Sequence, residues 1–252
     1  MRIVACVKRV PATDSRIKVG ADGVHIDTAQ VEWIINPYDE FAVEAALQLK
    51  EAAGEGEVII VMLGPGESTK ELRTCLAMGA DRAVLIKDDQ SDRRDAMATA
   101  YALADAIKEL EADLVLCGKQ AVDHDQGQVG LLIAQRLGLP CVTEIRTLTV
   151  ADGKASVERA GDEGTTEKYE VTLPAVLTCQ KGLNEPRYAN LKGIMAAKKK
   201  PIDERDGSAI ADHITVRGLE LPPERPEGRI VGEGVEAVDE LVRLLRQEAK
   251  VL

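Results

Sequence analysis

The first 140 residues alternate between short apolar runs and segments with helical periodicity, and this rhythm constrains the fold more than any other feature. The apolar runs lie at 3–7, 58–63, 83–86 and 114–117. Each is apolar throughout, as in strands that are buried on both faces of a parallel sheet. Amphipathic helical segments separate them. We therefore predict an α/β fold with a doubly wound, mostly parallel sheet and right-handed crossovers.

The rhythm changes after Pro140. Shorter strand-like runs with glycine-rich turns follow at 142–150, 155–159, 167–171 and 175–179. They could extend the same sheet or form a small antiparallel layer. Residues 180–230 are loop-rich and contain several prolines. A last helix is predicted at 235–250, after a long polar stretch, where it would be available to a partner chain.

The composition indicates a globular chain with an aliphatic core. Hydrophobic residues make up 45% of the chain, charged residues 30% and aromatic residues only 2%. So few aromatic side chains disfavour a surface that stacks bases. The formal net charge of −11 disfavours contact with phosphate backbones. We expect no nucleic-acid partner, and taken alone the lysine run at 198–200 reads as a solvated loop.

The five cysteines and three histidines show no spacing typical of metal ligands. Cys6, Cys117 and Cys179 lie in apolar runs, which predicts small buried side chains in a reducing compartment. We expect no metal site. The chain starts directly on a strand and has no apolar run long enough to span a bilayer. We expect no direct membrane insertion and, for a bacterial or archaeal source, a cytoplasmic location.

Three strand ends carry unusual sequence at the edge where α/β sheets bind ligands. The first strand ends at Cys6-Val-Lys8. A helix start follows at 36–40, with Asn36 as the predicted cap and Pro37 at the first helical position. Its free N–H groups suit a phosphate or a polar base edge. The third is the segment Gly118-Lys-Gln-Ala-Val-Asp-His-Asp-Gln-Gly-Gln-Val129, which leads from a strand into a helix.

This third segment could be a nucleotide site or an ordinary loop before a helix, and the local sequence favours neither. Gly118 permits close approach of the backbone, and the helix start favours an anion. Asp123 and Asp125 repel phosphate, so we expect them to cap the helix or to accept hydrogen bonds from ribose hydroxyls. The P-loop and Rossmann glycine fingerprints are absent. No nucleophile accompanies His124, and we expect no catalytic residue.

With these segments placed, the chain resembles the β subunits of electron transfer flavoproteins over nearly its whole length. The most specific segment is Leu183-Asn-Glu-Pro-Arg-Tyr-Ala-Asn-Leu191, which is followed by Ile194-Met195 and the lysine run. The other matching motifs are Val7-Lys-Arg-Val10, Asn36-Pro-Tyr-Asp-Glu40, Ala77-Met-Gly-Ala-Asp-Arg82, Gly118-Lys-Gln-Ala121 and Leu173-Pro-Ala-Val176.

The resemblance implies a heterodimer with an α subunit that supplies most of the contacts to a shared FAD, while this chain carries an AMP. It also implies that Leu191 docks onto dehydrogenases, the transient electron donors, and that the lysines tune the encounter rate. The positions that match the family's AMP contacts are Cys6, Asn36, Pro37, Tyr38, Asp39, Leu63, Gly118, Lys119, Gln120, Ala121, Val122, Asp123, His124, Asp125, Gln126, Gly127, Gln128 and Val129.

The nucleotide in this chain has two candidates. The loop Asp123-His-Asp-Gln-Gly-Gln-Val-Gly130 departs from the Asn/Thr-rich version of mammalian-type members. It is closer to the Asp-Gly-Asp-Thr-Ala-Gln-Val-Gly of flavin-bifurcating members, which hold a second FAD in the AMP position. Because His124, Gln126 and Gly127 fit neither version, we expect AMP, with a second, NADH-reducible FAD as the alternative.

The expected organisation is a nucleotide-binding α/β domain with added strands at 1–180, followed at 181–252 by a recognition loop and a C-terminal arm that packs on the partner subunit. The sheet type is shared with adenine-nucleotide-binding proteins that resemble universal stress proteins. A stand-alone nucleotide sensor of that kind is therefore a third candidate, against which the segment 183–191 argues.

Overall fold

The fold is known from a computed structural model, which describes residues 1–207, 211–224 and 227–252. In chain order, its elements are β1 (Arg2–Cys6), β2 (Arg9–Pro11), β3 (Trp33–Ile35), α1 (Pro37–Ala53), β4 (Glu57–Gly64), α2 (Thr69–Met78), β5 (Arg82–Lys87), α3 (Ala96–Leu110), β6 (Leu114–Gly118), α4 (Val129–Leu137), β7 (Cys141–Ala151), β8 (Lys154–Ala160), β9 (Thr166–Thr172), β10 (Ala175–Cys179), α5 (Leu191–Ala197), β11 (Ile202–Asp206) and α6 (Val238–Gln247).

The main sheet formed by the described residues has nine strands in the order β11-β5-β4-β1-β6-β10-β7-β8-β9. The chain runs outward from β1 through β4 to β5, and then crosses back to place β6 on the other side of β1. All of these neighbours are parallel. Strand order therefore reverses at β1, which opens a crevice at the carboxyl ends of β1 and β6. The predicted doubly wound, mostly parallel α/β fold is confirmed.

Two aliphatic layers cover the sheet. Successive residues of a strand face opposite sides, so Ile3 and Ala5 pack with α1 and α2. Val4 and Cys6 pack with α3 and α4 on the other side. The predicted burial of Cys6, Cys117 and Cys179 is confirmed.

The shorter strands after Pro140 extend the main sheet. β10 lies between β6 and β7 and is parallel to both. β7, β8 and β9 continue outward as an antiparallel meander. Of the two arrangements that the sequence allowed, the chain thus adopts the continuous sheet, with its antiparallel part at one edge.

Two strand pairs were missing from the sequence-based expectation. β2 and β3 form a separate antiparallel pair. In the loop between them, Gly20 N donates to His25 O at 2.7 Å. β11 emerges from the segment expected to be loop and pairs in parallel with β5 at the edge of the sheet. Residues 208–210 and 225–226 of that segment lie outside the described part.

The C-terminal helix α6 lies inside the predicted range and begins after a short 3-10 turn. None of the helices in the described ranges is both long and apolar enough to cross a membrane.

Candidate functional site

A crevice of about 900 Å³, a volume that includes solvent at its mouth, lies at the carboxyl ends of β1, β4 and β6. Most of the positions predicted from the family line it, namely Cys6, Asn36, Asp39, Leu63, Gly118, Lys119, Gln120, Ala121, His124, Gln126, Gly127, Gln128 and Val129. Pro37, Tyr38, Val122, Asp123 and Asp125 belong to the same segments and are not among the lining residues.

Asp39 connects the two strand ends that form the crevice. Its carboxylate accepts from Lys8 N at 2.7 Å, after β1, and from Gly118 N at 3.1 Å, at the end of β6. The side chain is buried, and burial raises the pKa of Asp39 to about 7 although these hydrogen bonds oppose the shift. Both oxygens are committed to backbone donors, which makes Asp39 a brace between α1 and the sheet.

Gly118 is the residue that permits this arrangement. A Cβ atom at this position would lie 2.3 Å from Asp39 Oδ1 and 2.7 Å from the carbonyl carbon of Tyr38. No side chain larger than hydrogen fits between β6 and the first turn of α1. The glycine that the sequence marked for close approach of the backbone therefore serves the approach of a helix.

Asn36 occupies the predicted cap position of α1, but its side chain does not serve as the cap. Its Nδ2 donates to Gln120 O at 2.8 Å, and its Oδ1 accepts from Val122 N at 3.2 Å. The capping prediction is thus wrong in its chemistry. The reason is tertiary, since the loop after β6 passes within reach and offers this fully buried amide both a donor and an acceptor.

The two acidic residues of the loop brace it as well. Asp123 accepts from Lys8 Nζ at 2.5 Å and from its neighbour His124 N at 2.9 Å. Asp125 accepts from Gln120 Nε2 at 2.7 Å. Neither carboxylate caps α4, whose cap position is held by Gln128, so that part of the prediction is wrong.

The N-terminus of α4 is open towards the crevice. Gln128 lines the crevice, and within the described chain its side chain makes no capping hydrogen bond to the helix. The N–H groups of a first helical turn have no partner inside the helix. Left-handed backbone at Asp125 and Gly127 turns the preceding loop around this end. The arrangement suits a phosphate group.

Cationic side chains that the sequence-based prediction omitted also line the crevice. Lys8 follows β1 and reaches Asp123. Arg9 stacks on Trp33, with its guanidinium carbon 4.1 Å from the ring centre. Arg94 precedes α3 and donates to Asp88 Oδ2 at 2.6 Å. The other omitted lining residues are Val7, Ser91, Asp92, Ala96, Thr99, Leu103, Cys117 and Gly130.

A sequence signal for part of this wall existed. The segment 91–99 follows β5 and starts α3, so it satisfies the same rule of strand ends that identified the other three segments. The position of Arg9 immediately after Lys8 was a second signal.

His124 stands at the mouth of the crevice. Loss of water around the ring, together with the nearby Lys8 ammonium, lowers the pKa of His124. On the crevice floor, the neighbouring Cys6 thiol and burial raise the pKa of Cys117. Neither residue is poised as an ionised acid or nucleophile.

Leu191 lies at the start of α5, outside the set of crevice-lining residues, and α5 packs on α2. Its side chain is 77% exposed, and that of Tyr188 is 97% exposed. Of the lysines that follow, Lys200 is committed to the fold, since its Nζ donates to Leu76 O at 2.9 Å and to Ala80 O at 2.6 Å. Lys198 and Lys199 are exposed.

Known proteins are similar in sequence to this chain over its whole length. Residues 23–209 match the family model described as electron transfer flavoprotein domain. The chain is 42% identical to the electron transfer flavoprotein subunit beta of Bacillus subtilis (strain 168), with 100% of each chain covered. It is 40% identical to the mitochondrial subunit beta of Oryza sativa subsp. indica, again over 100% of both. It is also 44% identical to the caffeyl-CoA reductase-Etf complex subunit CarD of Acetobacterium woodii, over 80% of this chain and 77% of that protein. The chain belongs to the electron transfer flavoprotein family, as a β subunit with a role in electron transfer.

Proposed function

We propose that this chain pairs with an α subunit and carries electrons from dehydrogenases to downstream acceptors through a shared FAD, while the crevice holds AMP as a structural nucleotide. The nucleotide proposal rests on the crevice where the strand order reverses. The open N-terminus of α4 and a loop held in place by Asn36 both line this crevice.

The residues of the crevice fit an adenine nucleotide. The first turn of α4 and the left-handed backbone at Gly127 offer N–H donors to a phosphate. Lys8 and Lys119 add positive charge nearby. Cys6 and Leu63 provide an apolar floor for a base. We expect the bound nucleotide to stabilise the β subunit by mass action, because these contacts exist only in the folded chain.

When bound, the flavin supplies the redox chemistry. The chain's own residues would act by positioning, with Asp39 and Asn36 fixing the crevice and Leu191 meeting the dehydrogenase. A cytoplasmic location and the division of the chain at residue 180 stay predictions.

The nucleotide content of the purified αβ complex tests this proposal. We expect one FAD and one AMP for each αβ pair after co-expression with the α subunit, measured by absorbance and by chromatography of the acid extract. Two FAD without AMP would refute the structural-AMP proposal. A stable chain that takes up no flavin in the presence of an α subunit would refute the electron carrier and favour a nucleotide sensor.

A second candidate has specific support. The loop at 123–130 is closer to that of flavin-bifurcating members, and one relative is named as a subunit of a caffeyl-CoA reductase-Etf complex. Arg9 and Arg94 line the crevice wall, where each is already paired with two carboxylates, Arg9 with Glu67 and Asp92 and Arg94 with Asp88 and Asp212. In this candidate the crevice holds a second FAD that NADH reduces. Rapid bleaching of the complex by NADH would support it, and one FAD for each pair without NADH reactivity would eliminate it.

A further inference from the structure

The segment 183–191 is tied to helix α1 by its polar side chains. Asn184 Nδ2 donates to Phe41 O at 3.0 Å. Arg187 binds two glutamates of α1, with Nε and Nη2 donating to Glu44 at 2.8 and 2.9 Å. Its Nη1 and Nη2 also donate to Glu51 at 2.5 and 2.9 Å. One guanidinium thus makes a two-bond contact with each of two carboxylates.

The pair with Glu44 is largely removed from water. The Glu44 side chain is 4% exposed, whereas those of Arg187 and Glu51 are 34% and 58% exposed. A buried carboxylate requires a partner, and a charge-assisted, two-bond contact satisfies it best. These two glutamates raise the pKa of Arg187. The contact of Arg187 with Glu44 therefore contributes most to holding the segment on α1, and the exposed contact with Glu51 contributes less.

The other end of the segment is held on α2. Asn190 Oδ1 caps α5 by accepting from Gly193 N at 2.8 Å. Gly193 lies so close to α2 that a Cβ atom would meet Ala77 O at 2.3 Å. Arg73 closes the far end of α5 by donating to Lys200 O at 2.6 Å. Tyr188 and Leu191, the exposed apolar side chains, thus stand between two fixed points.

We propose that Arg187 is a positioning residue for recognition of the electron donor, because it fixes the frame on which Leu191 is presented. This inference rests on the proposed docking of Leu191. A segment that is ordered before binding loses less conformational entropy when its apolar side chain enters a partner pocket. Without the Arg187 side chain the frame would keep its hold on α2 and the hydrogen bond from Asn184 to Phe41 O, but it would lose its main contacts with α1. More conformational entropy would then be lost during association.

The test compares Arg187→Gln, Arg187→Lys and Glu51→Gln in the full heterodimer. The varied substrate is the heterodimer itself, reduced by a dehydrogenase purified from the same organism. For Arg187→Gln we expect KM to rise about ten-fold with kcat within about two-fold of wild type, because association is the affected step. Arg187→Lys keeps the positive charge but cannot make two-bond contacts with a carboxylate, so its KM should lie between those of wild type and Arg187→Gln. Glu51→Gln, at an exposed site, should raise KM by about two-fold. This variant tests the proposal if the Arg187 variants do not fold.

Two further measurements separate positioning from general damage. Flavin and nucleotide contents should equal those of wild type, since Arg187 is not among the crevice-lining residues. Amide exchange at 188–195 should accelerate. Lys181→Gln, which removes an exposed charge before the segment, is the matched control and should leave KM and exchange unchanged.

Leu191→Ala distinguishes failure of this inference from failure of the docking proposal. If Leu191→Ala leaves KM unchanged, the docking of Leu191 is wrong and this inference falls with it. If Leu191→Ala raises KM while Arg187→Gln retains the wild-type KM and amide exchange, the positioning role alone is overturned. A lowered kcat with lost flavin in Arg187→Gln would likewise overturn it in favour of a purely structural role.

Discussion

Replacement of Gly118 by alanine should lower the stability of the chain and the occupancy of the proposed nucleotide site. The new methyl group would sit 2.3 Å from Asp39 Oδ1 and 2.8 Å from Asp39 N, so α1 or β6 must move. Overpacking of this kind costs about 1–3 kcal/mol. Loss of the hydrogen bond from Gly118 N to the Asp39 carboxylate costs about 1.5–3 kcal/mol more. Alanine restricts the unfolded chain and so restores roughly 0.5 kcal/mol of stability. The net loss is about 2–5.5 kcal/mol.

Urea unfolding followed by circular dichroism measures this loss, with an unchanged m-value as evidence that the unfolded state is comparable. Gly66→Ala is the matched control, because Gly66 also follows a strand end and has open space where its Cβ would lie. That control should stay within about 0.5 kcal/mol of wild type. Gly118→Ala should also be purified with less bound nucleotide. If the two variants unfold at the same urea concentration, α1 and β6 can move apart to accommodate the methyl group without loss of stability. That result would refute the reasoning.

Other variants test single contacts. Burial raises the pKa of Asp39 from 3.8 to about 7, so its unfolded form ionises first and the free energy of unfolding should fall by up to about 4 kcal/mol between pH 4 and pH 7. Urea titrations at these two pH values should show a flatter dependence for Asp39→Asn, and an equal slope would contradict the assignment. Lys200→Ala should lower the free energy of unfolding by about 1 kcal/mol, because it removes the hydrogen bonds to Leu76 O and Ala80 O at the end of α2. The control Lys199→Ala, at an exposed lysine, should change the free energy of unfolding by less than about 0.5 kcal/mol. Equal melting temperatures for the two variants would contradict this prediction. Leu191→Ala should raise the KM of the dehydrogenase for the heterodimer by about ten-fold, with an unchanged melting temperature because Leu191 is 77% exposed.

The sequence predicted the sheet and the crevice because both depend on local patterns. Apolar runs mark buried strands, and polar sequence after a strand marks the ligand-binding edge. β11 was missed because an edge strand needs little apolar character, and Ile202-Asp-Glu-Arg-Asp206 has one apolar residue. Arg94 was missed although its segment follows a strand end, because only the pairing of β5 with β4 shows that this end faces the crevice.

Glu44 shows a different limit of sequence reasoning. On an amphipathic helix, a glutamate such as Glu44, between Val43 and Ala45, is expected on the solvated face. In the folded chain it is buried, since residues 183–191 cover it with the guanidinium of Arg187. A contact between positions so far apart in the chain has no periodic signature. The most specific motif of the family was therefore recognised as a motif, while its structural reason became visible only in the fold.

Helix α1 carries acidic side chains whose burial the hydrophobic core does not require. Asp39 faces the strand ends, while Glu44 faces the segment 183–191. Burying a carboxylate lowers stability unless its hydrogen bonds are made. The donors to Asp39 lie at the crevice, and the donors to Glu44 belong to Arg187 in the segment 183–191. An alternative placement of either element would leave a buried carboxylate without a donor, at a cost of about 3–5 kcal/mol for a broken buried pair. These acids therefore favour one arrangement of both surfaces over its competitors, and helix α1 holds the crevice and the segment 183–191 in a fixed relation.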